Sequence, residues 1–125
     1  MQLTIDGREF ALYFGFDALD YLDKVYTIED KASGIAFGYG LPLFVSALKM
    51  KNVTALYHGI KAGTSTEASK PSKAGIESFV AEALEKDGAE SLFGEMQDEL
   101  GKQPLTKSQM ASAQREIEKT AGKKA

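Results

Sequence analysis

The chain opens on a period of two. Leu3 and Ile5 are set apart by polar residues, and Phe10, Leu12 and Phe14 repeat at the same spacing. Between the two runs lies Asp6-Gly7, a pair suited to a type I′ turn, in which both central residues take positive φ. The pattern predicts strands over 2–5 and 8–14. A lone two-stranded hairpin is marginal in water, so this one must pack on helices.

From Phe16 the period lengthens. Phe16, Leu19, Leu22, Val25 and Tyr26 follow helical spacing, with Asp17, Asp20 and Asp23 on the polar side. A helix over 16–26 follows, and acids in its first turns suit the helix dipole. Residues 33–42, with three glycines and Pro42, break any regular period. Pro42 fits the first turn of a helix over about 42–50 that buries Leu41, Phe44, Val45 and Leu48. Asn52 is placed to cap a short helix carrying Val53, Leu56, Tyr57 and Ile60 on one face. Residues 63–72 read as a polar loop. Ser72 then caps a helix over 73–87 whose stripe is Ile76, Phe79, Val80, Ala83 and Leu84, ended by Asp87-Gly88. A further helix over 89–100 carries Leu92, Phe93, Met96 and Leu100, with Gly101 and Pro104 to stop it. Thr106-Lys107-Ser108-Gln109 matches a capping box for a last helix over about 107–120, whose apolar positions, Met110, Ala113 and Ile117, are weak.

The expected fold class is therefore α+β and mostly helical: an N-terminal β-hairpin followed by five or six short α-helices. The expected organisation is a domain over 1–105 and a mobile basic tail or marginal helix over 106–125, without internal repeats. Phe10, Leu12, Phe14, Leu19, Leu22, Phe44, Leu48, Leu56, Phe79 and Leu92 should be mostly buried.

Composition narrows the picture little. Apolar residues are 43% of the 125 and charged residues 26%, near globular averages, so one modest core is affordable. No apolar stretch reaches 18 residues, so no membrane span is expected. The opening decapeptide lacks the basic and apolar regions of a secretory signal. Cysteine is absent, which removes disulfides and thiolate chemistry and fits a reducing cytoplasm.

Charge is unevenly placed. Residues 1–101 hold 9 Lys/Arg against 16 Asp/Glu, a net of −7, while residues 102–125 hold 6 against 2, a net of +4. An acidic body argues against a broad nucleic-acid surface. The basic end reads first as solvated chain and second as a contact for an acidic partner.

Catalytic signals are thin. His58 is the sole histidine, and no G-x-S-x-G elbow accompanies it. One His and no Cys supply a transition-metal site poorly. Gly34, Gly38 and Gly40 spell neither a phosphate loop nor a dinucleotide fingerprint; helix punctuation or close backbone approach accounts for them. Asp98 and Glu99 point to different sides of a helix and read as a solvated face. Neither cofactor nor metal is expected. Aromatics are the surplus: ten of the 7 Phe and 5 Tyr fall within residues 10–57. Phe37, Tyr39 and Leu41 are the candidate partner-binding residues, because glycines beside them let another backbone approach and an aromatic on a broken helix is easily left exposed. Filling the core would account for them equally well.

The order of features resembles a known family. Met-Gln-Leu-Thr-Ile-Asp-Gly-Arg-Glu-Phe, then Leu12-Tyr13-Phe14-Gly15-Phe16 running into Leu19-Asp20-Tyr21-Leu22-Asp23, is similar to the tail assembly chaperones of siphophages and prophages of Gram-positive hosts. Gly38-Tyr39-Gly40-Leu41-Pro42, Val53-Thr54-Ala55-Leu56-Tyr57, and Glu99-Leu100 followed by Pro104-Leu105-Thr106-Lys107 continue the likeness, which covers about residues 1–107. The loop 63–72 and the Lys/Ala-rich end depart from it. The resemblance implies a binding protein and no enzyme. It would bind and solubilise the tape measure protein and help tail-tube assembly around it. It would reach the major tail protein through a frameshifted longer form, and homo-oligomerisation is open. Nucleic acid and membrane are not expected partners. It would act in the host bacterial cytoplasm and be absent from the mature virion. Apolar grooves suit a helical client, many copies suit reversible coating, and an acidic body keeps such a complex dissolved. The competing reading is a small tail-completion or head–tail connector protein retained in the virion.

Overall fold

A computed structural model describes residues 1–112. Strands β1 (Gln2–Ile5) and β2 (Arg8–Ala11) form an antiparallel hairpin, with Leu3 opposite Phe10 and Ile5 opposite Arg8. Asp6 and Gly7 take φ of 55° and 73°, as a type I′ turn requires. Helix α1 (Phe16–Val25) follows, then a second antiparallel hairpin of β3 (Thr27–Asp30) and β4 (Ile35–Gly38), then α2 (Gly40–Lys49), α3 (Val53–Gly63), α4 (Lys73–Asp87) and α5 (Glu90–Lys102). The chain is helical again over 107–112. The class is mostly helical α+β, as expected.

Local chemistry sets most boundaries. The Asn52 side chain accepts from the Thr54 amide at 3.0 Å and starts α3; Ser72 Oγ accepts from the Gly75 amide at 2.9 Å and starts α4. Gly88, with φ of 67°, ends α4, and its amide returns to the Leu84 carbonyl. Helix α2 begins two residues before the expected start, at Gly40. Helix α5 runs through Gly101 to Lys102, so Gly101 does not stop it. Thr106 does not form the expected capping box. It is buried, and its hydroxyl donates back to the Leu100 carbonyl at 2.5 Å, closing the turn after α5. The rest of the expected last helix, with Ala113 and Ile117, lies outside the described residues.

Helix α3 is the hub, touching α1, α2, α4 and α5. Phe14, Leu22, Phe44, Leu48, Leu56, Ile60, Met96 and Leu100 fill the centre at 1% exposure or less. A Cβ added at Gly59 would meet Phe44 at 2.9 Å and the Met96 sulfur closer still, so α3 has no room there for a larger residue. Eight of the ten expected core residues are buried; Leu19 and Phe79 are half-buried. Phe79 lies along the surface trough between α4, the first hairpin and α5.

Two long-range locks hold the first hairpin to the helices. Asp6 at the turn accepts from the Ser72 amide at 2.7 Å and the Ser72 hydroxyl at 3.1 Å, so the hairpin tip holds the residue that caps α4. Beyond β2, Gln103 takes the place of a strand partner: its amide donates to the Leu12 carbonyl at 2.9 Å and its carbonyl accepts from the Phe14 amide at 2.7 Å. Glu99 pairs with the Met1 amino group and accepts from Gln103, and these bonds hold its carboxyl below its ordinary pKa.

The second hairpin was not expected. Its strands have four residues each, too few to establish a period, and their sequences are polar or small on one side. Gly34 takes the φ of 71° that the turn demands. Gly38 and Gly40 have the second of the roles expected of them, close backbone approach. A Cβ on Gly38 would meet Asp23 at 2.6 Å, and the Gly40 amide donates to Asp23 Oδ1 at 2.8 Å. The ribbon and α2 are thereby tied to α1.

Candidate binding surface

Ionisable groups converge poorly in this fold. Among the described residues no three His, Asp or Glu side chains gather as metal ligands, and no helix is long and apolar enough to cross a membrane. His58 is half-buried in a ring of aromatics. The Tyr21 hydroxyl lies 3.0 Å from its Nδ1, and the Tyr26 and Tyr57 rings meet it edge-on with centroids 6.0 and 5.3 Å away. Burial lowers the imidazole pKa, and Lys61 adds to the shift. The Tyr21 hydroxyl and the ring share this hydrogen bond, and burial raises the Tyr21 pKa as well. The cluster fastens α1 to α3.

What the molecule does offer is apolar surface, in two places. The first is the β3–β4 ribbon. Asp30 pairs with Ile35, and Ile28 stands two residues before Asp30, which places these three positions on one face. Ile28 is 36% exposed and Ile35 61%. The turn is held by Asp30, whose carboxylate accepts from the Ala32 amide and the Ser33 hydroxyl. The far end is held by the Tyr39 amide, which donates to the Tyr26 carbonyl at 2.9 Å. Of the three candidate contacts, Phe37 lies in β4 and Tyr39 is the residue before α2, 46% exposed. Leu41, in the first turn of α2, is half-buried against the core. The structure thus brings Tyr39 and the ribbon together at the surface and turns Leu41 inward.

The second place is a groove of about 440 Å³ between α3 and α4. Tyr57 and Val80 form its floor, Val53, Ala81 and Leu84 its walls, and Glu77 its rim. Val53 and Leu84 are 40% and 37% exposed, although their spacing places them on the apolar stripes of their helices. Sequence reasoning missed this groove by treating each stripe as one buried face. The signal was present in α4: Ile76, Phe79, Val80, Ala81, Ala83 and Leu84 span more of the helix circumference than one neighbour can cover. Phe16 and Met50, 73% and 80% exposed, are further apolar residues left in solvent.

A scan against family models matches residues 2–114 to a family described as phage tail assembly chaperone protein. No curated protein and no solved structure matches the chain.

Proposed function

The chain belongs to the phage tail assembly chaperone family, and from that premise we propose that it binds and solubilises a tape measure protein and helps tail-tube assembly around it. It works by contact and not by catalysis. One observation carries the reading: the exposed apolar ribbon of Ile28 and Ile35, continued by Tyr39. A long helical client exposes apolar stripes that aggregate in water, and an exposed apolar face on an acidic body can cover such a stripe while keeping the complex dissolved. Phe37, Tyr39 and Leu41 lie along the segment that joins this ribbon to α2, with Tyr39 as the side chain offered to solvent. The protein acts in the host cytoplasm and leaves before the particle is finished.

Co-expression with the tape measure of the same phage tests this. The expected result is a client that moves from the pellet to a soluble complex, and that returns to the pellet with Tyr39→Ala while the melting temperature holds. A wild-type protein that leaves the client insoluble refutes the function. A large fall in melting temperature for Tyr39→Ala removes Tyr39 as a contact. Recovery of the protein in purified particles by mass spectrometry supports the competing structural role instead.

A further inference from the structure

We infer that the α3–α4 groove seats one amphipathic helix of the client, about two turns long, with a Lys or Arg set against Glu77. This rests on the client-binding reading. The groove is lined by Tyr57 and Val80 below and by Val53, Ala81 and Leu84 at its exposed walls, with Thr54 and one charged side chain, Glu77, beside them. From Glu77 to Leu84 helix α4 advances seven residues, or about 10 Å at 1.5 Å per residue. That length accommodates anchors at i, i+3 or i+4, and i+7, the spacing by which a helix enters a groove.

Charge selects the occupant. The cation nearest Glu77 is Lys73 on the same helix, at 4.0 Å, with both side chains largely in solvent. Such a pair is weak and readily exchanged. Residues 1–101 carry a net of −7, so a basic flank on the incoming helix gains from the whole body as well as from Glu77. A second copy of this chain fits less well. It would bring an equally acidic body, a two-fold contact across the groove would oppose one Glu77 to the other, and a two-turn groove falls short of the roughly 800 Å² per partner of a stable interface.

Soluble complex recovered from co-expression with the full-length tape measure is the test. Leu84→Glu and Glu77→Lys should keep the wild-type melting temperature and lower the client recovered at least about tenfold, since each replaces a matched contact by a mismatched one. Ala81→Glu, at an exposed wall position, serves where Leu84→Glu itself lowers the melting temperature. A photo-crosslinker at position 84 should capture client peptides with the i, i+3/i+4, i+7 apolar pattern flanked by Lys or Arg. If the groove variants recover client as wild type does, the groove is not the seat, although client binding stands. A crosslink to a second copy overturns the inference in favour of self-association. Failure of the wild-type protein to recover client takes both readings down.

Discussion

Phe14 and Phe16 are the same residue two positions apart, and truncating each to alanine should give opposite results. Phe14 is 1% exposed, its ring 6.3 Å from that of Phe44, in the packed centre beneath α1 and α2. Burying a Phe side chain is worth about 1.5–3 kcal/mol in transfer alone, and the cavity left on truncation brings Phe→Ala costs to about 3–5 kcal/mol. Loss of the pair with Phe44 falls within that range. Phe16 is 73% exposed at the start of α1. Only about a quarter of its transfer gain is realised, or roughly 0.5 kcal/mol, and the better helix propensity of alanine offsets part of that. At about 4 °C per kcal/mol for a domain of this size, Phe14→Ala should lower the melting temperature by about 12–20 °C and Phe16→Ala by less than about 2 °C. Circular dichroism melts at one pH and one concentration read both. Equal shifts, or a Phe14→Ala protein that melts with the wild type, refute the core drawn here.

Two further perturbations follow. Gly94→Ala, in α5 with nothing within 4 Å of the added Cβ, should stabilise by about 1 kcal/mol through helix propensity, whereas Gly59→Ala should destabilise because overpacking against Phe44 and Met96 outweighs that gain; denaturant midpoints that rise for both would refute the close α3 packing. His58 has a folded pKa below its unfolded value near 6.5, so the unfolded state binds more protons as pH falls through that value and stability drops. The melting temperature should fall between pH 7 and pH 5.5, and His58→Gln, which keeps a neutral hydrogen-bonding group beside Tyr21, should flatten that fall. The lowered carboxylates Asp6, Asp87 and Glu99 lose their contributions only below this window, as pH falls through about 4. An identical fall in the variant would place the titration elsewhere.

Features that depend on neighbours in sequence were legible without coordinates. Asp6-Gly7 made its turn, Asn52 and Ser72 capped the helices they precede, Gly88 ended α4, and the period of two at Leu3, Ile5, Phe10, Leu12 and Phe14 put those five side chains inside. Each is an interaction within about four residues or a periodicity of one element, so its energy is available before the chain has folded. The family likeness was legible for the same reason, because it lies in the order of such local features.

Tertiary structure decided the rest. Asp6 holds the capping residue of a helix, Ser72, from 66 positions away, Gln103 completes a strand edge, and Thr106 turns back to Leu100 instead of forward. The glycines at 38 and 40 build a ribbon joint against Asp23, where the sequence alone offered close backbone approach without saying to what. Above all, the apolar stripes of α3 and α4 are wider than the faces their neighbours cover. A stripe states that a side chain gains by leaving water; which part of it does so is set by where the other helices lie. Val80 is therefore buried while Leu84, one turn on, is left at the wall of a groove.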